Sequence, residues 1–193
     1  MRWSRGGNAS PEPVDVLVVC TGNICRSPLL EQLLIAAVPG LTVASAGTGA
    51  LVGEGAHPLT AQVLRERGLY ADPTHVARQL TPDLVAGARL VLTASREHRT
   101  RAVELDPTAA DRAYTVKELA RLLTRAAPLP AGGDRLAVVL SAAAAELRRD
   151  PPDTDDDLPD PIGLRLAEFE RCAATSEVAL GPLIAALRAA DRR

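Results

Sequence analysis

The chain has 193 residues, of which 47% are hydrophobic and 24% are charged, and its formal net charge at pH 7 is −2. That length suits one domain with a sizeable core, and the apolar content excludes a disordered chain. The small negative charge gives no support for a nucleic-acid-binding surface.

The three cysteines are too few, and odd in number, for a disulfide framework. We therefore expect free thiols in a reducing cytoplasm. The segment MRWSRGGNASPEP lacks the apolar stretch of a signal peptide, and residues 1–13 are expected to form a flexible tail before one domain at 14–193. No run approaches the roughly 20 apolar residues that cross a bilayer, so no membrane contact is expected.

The first predicted element is a strand at residues 14–19, which are apolar on both faces as in buried parallel strands. A helix is predicted from Ser27-Pro28, since proline suits the first helical position, to Pro39-Gly40. Periodicity and turn residues then predict, in chain order, a strand at 41–46, helices at 58–67 and 82–87, a strand at 89–93, a helix at 96–105, a strand at 113–114 and a helix at 116–125.

The C-terminal part begins with a predicted insertion at about 126–156, which holds an alanine-rich helix at 135–149 and an acidic, proline-rich loop. A long helix follows. Gly181-Pro182 is expected to kink or break it. One apolar stripe on this helix is made of Phe169, Cys172, Ala173, Leu180, Leu183, Ile184 and Leu187.

The alternation of strands and helices indicates an α/β fold, with a four-stranded parallel sheet covered by helices on both faces. Ligands of such sheets bind outside the carboxyl ends of the strands. The segment that starts at Cys20, directly after the first strand, lies at such an end. It is therefore the first candidate for a binding site.

The segment C-T-G-N-I-C-R joins the first strand to the first helix and carries groups that suit an anion. Its backbone N–H groups can form an anion nest at the helix N-terminus, and Gly22 is expected to supply the positive φ that a tight nest needs. Arg26 offers a planar fork that fits two phosphate oxygens. Asn23 can brace the loop through its side-chain amide.

Cys20 is the candidate nucleophile of this loop. A thiol that faces a helix N-terminus and an arginine ionises readily, and Ser27 can donate a hydrogen bond to the thiolate. The loop would then hold a tetrahedral oxyanion with the nucleophile beneath its central atom. This indicates attack on phosphorus, a phosphocysteine intermediate, and a transition state whose equatorial oxygens bind the N–H groups and Arg26.

The nonapeptide C-T-G-N-I-C-R-S-P, after a strand and opening a helix, resembles the signature of the low-molecular-weight protein tyrosine phosphatases, a scaffold shared with arsenate reductases. S-A-G-T at 45–48, H-V-A-R-Q-L at 75–80 and Y-T-V-K-E-L-A-R-L-L at 114–123 resemble further landmarks of that family. The resemblance covers most of the chain except the N-terminal tail and about 126–156.

The resemblance implies a flavodoxin-like domain that hydrolyses phosphotyrosine-type phosphomonoesters through phosphocysteine, without cofactor or metal. The expected substrates are a phosphorylated protein or a small aryl phosphate, and the expected state is a monomer or weak dimer. The loop residues expected to bind the substrate are Thr21, Gly22, Asn23, Ile24, Cys25 and Ser27.

Members of this family carry their general acid in an Asp-Pro motif on a distant loop. Asp160, directly before Pro161, matches that motif and would protonate the leaving oxygen and then activate water. Asp157 is the nearest alternative. The acidic loop is expected to be solvated and mobile, and its movement would bring Asp160 to the substrate. Three further carboxylates of this loop are expected to be solvated charges only, namely Asp153, Asp155 and Asp156.

Family members specific for phosphotyrosine usually carry an aromatic residue after the Asp-Pro motif and often another in the loop after S-A-G-T. Here Ile162 and Leu51 stand in those two segments and could supply apolar walls instead. Members that act on phosphoarginine tend to carry threonine at the position of Ile24. The branched apolar side chain of Ile24 therefore favours the tyrosine type.

Three alternatives stay open beside the phosphotyrosine interpretation. The first is protein arginine phosphatase activity on the same scaffold. The second is arsenate reduction with a small cellular thiol, because the thioredoxin-linked form needs two further cysteines, which residues 84–105 lack. The third is a catalytically inactive anion-binding module, which the intact Cys20, Arg26, Ser27 and Asp160 argue against.

Other candidate reactive groups receive structural interpretations. Cys25 either forms a reversible disulfide with Cys20, as in this family, or simply lines the loop, and we favour the redox role slightly. Cys172 is interpreted as a small hydrophobic residue. The three histidines, His57, His75 and His98, are interpreted as structural or surface residues, and no spacing of Cys and His indicates a metal site.

Overall fold

The computed structural model describes residues 12–130, 133–147 and 155–189. Four parallel strands form one sheet with the order β2-β1-β3-β4. The strands are β1 (Val14–Cys20), β2 (Val43–Gly47), β3 (Ala88–Thr93) and β4 (Ala113–Thr115). The predicted α/β fold with a four-stranded parallel sheet is confirmed. Most of the predicted tail at 1–13, and residues 131–132 and 148–154 of the predicted insertion, lie outside the described residues.

The helices in chain order are α1 (Arg26–Ala37), α2 (Pro58–Glu66), α3 (Pro82–Ala86), α4 (Arg96–Leu105), α5 (Val116–Arg125), α6 (Arg135–Leu147) and α7 (Leu166–Ala189). A 3-10 helix at Pro107–Asp111 precedes β4. The predicted bounds of α4 and α5 are confirmed. The end of the helix predicted at 135–149 lies outside the described residues.

β1 is a central strand, and its residues pack alternately on the two faces of the sheet. Val16 and Val18 belong to the larger apolar cluster, which includes residues of α1, α2, α5, α6 and α7. Leu17 and Val19 belong to the smaller cluster, beside α3 and α4. Because both faces are covered, all four side chains are fully buried, which explains the continuous apolar run in the sequence.

Of the kink or break predicted at Gly181-Pro182, the break is wrong, because α7 continues through both residues. Proline has no N–H to donate to the carbonyl of Val178, but Val178 is 78% exposed and this part of the helix faces water. Leu180 and Leu183, on the opposite side, are buried in the core and hold the helix in place. The predicted apolar stripe is confirmed, with Ile184 only partly buried.

By length and composition α7 could also cross a membrane. However, 44% of its most apolar window is buried inside the domain. The core helix of a globular protein has the same properties, so this feature is weak evidence for a membrane segment.

Candidate active site

The loop at the carboxyl end of β1 directs five consecutive carbonyl groups outward. The acceptors and donors are Cys20 O with Thr48 N at 2.9 Å, Thr21 O with Gly49 N at 3.1 Å, Gly22 O with Leu51 N at 3.0 Å, Asn23 O with His75 Nε2 at 2.8 Å, and Ile24 O with His57 N at 2.8 Å. In a trans peptide the carbonyl and the following N–H point in opposite directions. The N–H groups of residues 21–25 therefore face the centre of the loop, which is the geometry of an anion nest.

The left-handed position of this loop is Asn23, with φ at 56°. The expectation that Gly22 supplies the positive φ is therefore wrong. Asparagine tolerates this conformation better than most residues. Its side chain also has three partners that hold it there, so the loop does not need glycine at this step.

The amide of Asn23 sets the direction of the hydrogen bonds behind the candidate nucleophile. Its Nδ2 donates to Ser27 Oγ at 2.9 Å and to Ser45 Oγ at 2.8 Å, and its Oδ1 accepts from Arg78 N at 2.9 Å. Ser27 Oγ lies 3.0 Å from Cys20 Sγ. Because Ser27 already accepts from Asn23, its own proton is available to the Cys20 sulfur.

Sequence reasoning missed a second layer of residues that supports the loop. Ser45 donates to Glu31 Oε2 at 2.6 Å, and Arg78 Nε donates to the Ser45 carbonyl at 2.8 Å. Burial raises the pKa of Glu31, and the Ser45 hydroxyl opposes that shift. His75 donates to the Asn23 carbonyl. The available signal was that S-A-G-T and H-V-A-R-Q-L resembled family landmarks, although neither was assigned a role.

The structural interpretation of the histidines fits their contacts, although each of them also lies close to the loop. His57 Nδ1 accepts from Leu59 N at 3.2 Å, and its ring stacks on Phe169 with centroids 4.8 Å apart. His98 is buried and contacts Thr21. None of these rings lines the cleft described below.

Arg26 and Asp160 meet above the loop, although they are far apart in the chain. Arg26 is buried, and its Nη2 donates to Thr21 Oγ1 at 3.3 Å and to the Asp160 carboxylate, with which it forms an ion pair. Asp160 Oδ1 also accepts from Ile162 N at 3.2 Å. The Asp160 side chain remains 39% exposed, so it is open to a bound substrate.

A cleft of about 210 Å³ lies over the loop. Its described lining contains no aromatic side chain, and Leu51 and Ile162 form apolar parts of its wall. The lining residues are Cys20, Thr21, Gly22, Ile24, Cys25, Arg26, Gly49, Leu51, Asp160 and Ile162. The side chains of Asn23 and Ser27, which are also expected to bind substrate, are fully buried and outside this lining, although the Asn23 N–H is among those that face the centre of the loop. Among the described residues, no three His, Cys, Asp or Glu side chains are grouped as metal ligands would be.

The other two cysteines are buried thiols. Burial raises the pKa of Cys25 to about 12, an effect that a hydrogen bond with Thr60 partly offsets. Burial likewise raises the pKa of Cys172 to about 11, and Cys172 packs in the larger apolar cluster as a small hydrophobic residue would. All three cysteines are free. The redox role of Cys25 stays a prediction.

Three successive residues of the acidic loop contact α5, the start of α4 and the residue that follows β3. The Asp156 carboxylate pairs with Arg121 at 2.9 Å, Asp157 Oδ1 accepts from Arg96 N at 2.8 Å, and Leu158 N donates to the Ala94 carbonyl at 2.8 Å. Asp157 does not line the cleft. Burial raises the pKa of Asp157, but the hydrogen bonds from Arg96 outweigh burial and lower the pKa overall.

The expectation that Asp156 is a solvated charge is wrong, since Asp156 is only 3% exposed. Its burial is possible because Arg121, on α5, supplies the opposite charge. Asp155 has an 87% exposed side chain and pairs with Lys117 at the surface. Asp153 lies outside the described residues.

We expect Asp156→Ala to lower the free energy of unfolding by about 3 kcal/mol, because it removes a buried carboxylate that is paired with the Arg121 guanidinium. Asp155→Ala is the matched control, since it removes an exposed ion pair one residue away and should cost about 0–1 kcal/mol. Urea denaturation followed by circular dichroism measures both. Equal losses in the two variants would contradict the structural role of Asp156.

The backbone of Gly47, the last residue of β2, lies very close to the backbone of the loop at Thr21. A Cβ at this position would lie 2.2 Å from the Thr21 carbonyl oxygen. Gly47→Ala is therefore expected to displace the loop and to lower the free energy of unfolding by about 1–3 kcal/mol. Gly49→Ala is the control, because its Cβ would meet Thr21 Cγ2 at an ordinary 3.8 Å. Thermal and urea unfolding test this prediction, and equal stability of the two variants would refute it.

Comparison with known proteins places this chain in a family. The family model described as low molecular weight phosphotyrosine protein phosphatase matches residues 15–128. The low molecular weight protein-tyrosine-phosphatase Wzb of Salmonella typhi is 46% identical over 92 residues, which are 48% of this chain and 61% of that protein. The probable low molecular weight protein-tyrosine-phosphatase AmsI of Erwinia amylovora is 42% identical over 93 residues, 48% of this chain and 64% of that protein. The chain thus spans less than two thirds of the length of these curated relatives.

Solved structures extend the likeness over more of the chain. The crystal structure of Erwinia amylovora tyrosine phosphatase AmsI has a TM-score of 0.68 and 26% identity, covering 90% of this chain and 93% of that one. The arginine phosphatase YwlE from Geobacillus stearothermophilus has a TM-score of 0.66 and 26% identity, covering 91% and 94%. Because the family model matches more than half of the residues, the chain belongs to the low molecular weight phosphotyrosine protein phosphatase family.

Proposed function

We propose that this protein hydrolyses phosphotyrosine-type phosphomonoesters through a phosphocysteine intermediate. The observation that carries the proposal is the convergence of Cys20, Arg26 and Asp160 on one cleft above inward-facing N–H groups. A nest of donors with a sulfur at its base suits a phosphoryl group approached from below. The family membership and the names of the relatives support the same reaction.

In the first step, the Cys20 thiolate attacks phosphorus and the bond to the leaving oxygen breaks. The nest N–H groups and Arg26 bind the three equatorial oxygens, where negative charge is concentrated. Asp160, which borders the cleft on the solvent side, gives its proton to the leaving oxygen. The Ser27 hydroxyl, 3.0 Å from the sulfur, stabilises the thiolate before attack and again when it leaves.

In the second step, water attacks the phosphorus of phosphocysteine and releases inorganic phosphate. The Asp160 carboxylate accepts a proton from that water, which restores the acid for the next turnover. Cys20 departs as a thiolate into the same positive surroundings. All of these steps use side chains and backbone N–H groups of this chain and one water molecule.

Substrate selectivity would be set by the mouth of the cleft. Leu51 and Ile162 are about half exposed there, at 51% and 48%, and can contact the two faces of a planar ring. Ile24 lines the same cleft. Aliphatic walls suit an aryl phosphate without the extra stabilisation of about 0.5–1.5 kcal/mol that aromatic pairing adds.

Phosphoarginine is the second candidate substrate. The observation in its favour is the absence of aromatic side chains from the described lining of the cleft, together with the similarity to the arginine phosphatase YwlE. The leaving group would then be a guanidinium nitrogen instead of a phenolic oxygen. The same loop and the same Asp160 would serve.

The test compares four substrates with the purified protein: p-nitrophenyl phosphate, a phosphotyrosine peptide, a phosphoarginine protein, and arsenate with a small-thiol reductant. We expect kcat/KM for phosphotyrosine to exceed that for phosphoarginine at least about tenfold, because Ile24 and the apolar walls favour a ring. Faster phosphoarginine hydrolysis would reverse the ranking. Arsenate reduction without phosphatase activity would overturn the proposed function.

We also propose that the protein acts on phosphorylated proteins in the cytoplasm, as a monomer or weak dimer. The support is chemical, since a catalytic thiolate needs the reducing conditions under which the three cysteines stay free. Size-exclusion chromatography with light scattering tests the oligomeric state.

A further inference from the structure

His98 lies near the start of α4 and is only 4% exposed. Its ring Nδ1 is 2.7 Å from Ser95 Oγ, and its Nε2 is 2.9 Å from Thr21 Oγ1. Its backbone N–H also donates to Ser95 Oγ at 3.4 Å, which caps the helix. With a contact at each ring nitrogen, the imidazole has one fixed orientation, and that orientation connects α4 to the first residue of the loop after Cys20.

Thr21 links this histidine to Arg26, the side chain expected to bind the phosphoryl oxygens. Thr21 Oγ1 accepts a hydrogen bond from Arg26 Nη2 at 3.3 Å. A hydroxyl has one proton and two lone pairs, whereas a guanidinium only donates. In either neutral tautomer of His98, Thr21 Oγ1 therefore keeps a lone pair for Arg26 while the histidine holds the hydroxyl in place.

Among the described residues, the Arg26 guanidinium has only two polar partners, Thr21 and Asp160. Its Nε is buried without a partner. Asp160 would be needed at the leaving oxygen during the reaction. Thr21 is then the only described side chain left to orient Arg26 while the phosphoryl group is bound.

We propose that His98 is a positioning residue, which holds the Thr21 hydroxyl and thereby fixes the direction in which Arg26 presents its guanidinium to a phosphoryl group. The inference rests on the phosphatase function proposed above and adds to it a residue outside the cleft.

The charge of His98 suits this role. Burial, and then the positive charge of Arg26, lower the pKa of His98 to about 4, although the carboxylates of Asp160 and Asp157 oppose the shift. At neutral pH the ring is therefore uncharged. A second cation behind Thr21 would compete with Arg26 for the phosphoryl oxygens, and a neutral imidazole gives the same geometry without that competition.

Two conservative substitutions of His98 distinguish its contact with Thr21 from its contact with Ser95. Glutamine places its amide near the position of Nε2, so His98→Gln can still reach Thr21. Asparagine reaches only the position of Nδ1, so His98→Asn keeps a partner for Ser95 and loses Thr21. Both variants fill the buried site with an amide, and the difference between them reports the Thr21 contact.

The readouts are the Kd for inorganic phosphate, measured by isothermal titration calorimetry, and the separate kcat and KM for p-nitrophenyl phosphate. We expect His98→Asn to weaken phosphate binding and lower kcat/KM about tenfold, the usual result of losing one well-placed hydrogen bond at a charged group. His98→Gln is expected to retain most of both. A purely structural defect would lower kcat through the folded fraction and leave the Kd and KM unchanged.

Thr21→Val removes the hydroxyl while keeping the shape, and Thr21→Ser restores it. We expect Thr21→Val to reproduce the loss of phosphate affinity, Thr21→Ser to rescue it, and the Thr21→Val, His98→Asn double variant to be no weaker than Thr21→Val alone. If His98→Asn does not fold, Thr21→Val and Thr21→Ser still test the contact with Arg26 through which His98 would act. Losses that multiply in the double variant, or an unchanged phosphate Kd in Thr21→Val, would overturn the positioning role.

The phosphate measurement distinguishes this inference from the proposed function. If the protein bound phosphate through Arg26 but hydrolysed none of the four substrates, the proposed function would fail, while the effect of His98 on the Kd would still be measurable. If hydrolysis were fast and His98→Asn bound phosphate as the unchanged protein does, only the positioning role would fail.

Discussion

Replacement of Cys20 by serine is expected to lower turnover of p-nitrophenyl phosphate and of a phosphotyrosine peptide by about 10,000-fold or more. The serine hydroxyl is a much weaker nucleophile than a thiolate at neutral pH, and no other described cysteine shares the base of the nest beside Ser27. Inorganic phosphate should still bind, because its proposed partners are the N–H groups of residues 21–25 and Arg26, which the substitution leaves unchanged. Steady-state kinetics and calorimetry on the same preparation test both halves of this prediction.

The matched control is Cys172→Ser, the same change in a cysteine that lies outside the cleft. Cys172 is 1% exposed and packs in the larger apolar cluster near Ser176, which can pair with either a thiol or a hydroxyl. This variant should keep its kcat and show at most a small loss of stability. Substantial turnover by Cys20→Ser would exclude the phosphocysteine intermediate, and a loss of phosphate binding would mean that the substitution had disturbed the nest itself.

The elements could be predicted from the sequence where the local signal and the tertiary environment agree. Residues 16–19 of β1 are apolar on both faces because both faces are covered, and α4 ends before a proline, so the positions of both elements follow from local patterns alone. The loop from Cys20 to Arg26 could also be located, because its residue types suit one anion and its place follows a buried strand.

The errors share a physical cause, which is dependence on residues far away in the chain. The positive φ falls on Asn23 and not Gly22 because partners from Ser45 and the backbone of Arg78 hold the asparagine in place. Asp156 is buried because Arg121, 35 residues earlier, supplies the opposite charge. No pattern within a short window carries that information.

The support behind the loop escaped prediction for the same reason. His98 belongs to α4, 77 residues after Thr21, and the parallel sheet brings the ends of β1 and β3 side by side. The sequence predicts a structural or surface role for this histidine, and the structure shows it buried. Its contact with Thr21 depends on the tertiary fold, and no local pattern in the sequence indicates it.

Replacement of Asp160 by alanine is expected to reduce hydrolysis most for substrates with poor leaving groups. A phenolic oxygen of tyrosine needs a proton as the bond to phosphorus breaks, whereas p-nitrophenolate is stable without one. We expect kcat for a phosphotyrosine peptide to fall about 100-fold or more, and the loss with p-nitrophenyl phosphate to be clearly smaller. Single-turnover kinetics on both substrates separate this first step from hydrolysis of the intermediate.

Asp157→Ala is the matched control, three residues earlier in the same loop. The Asp157 carboxylate is bound to Arg96 and lies outside the lining of the cleft, whereas Asp160 lies within it beside Arg26. Asp157→Ala should therefore lower the free energy of unfolding, and it should leave the ratio of kcat for the phosphotyrosine peptide to kcat for p-nitrophenyl phosphate nearly unchanged. If Asp157→Ala produced the selective loss on phosphotyrosine and Asp160→Ala did not, the general acid would be Asp157. The acidic loop would then have to shift during the reaction until the Asp157 carboxylate reached the cleft.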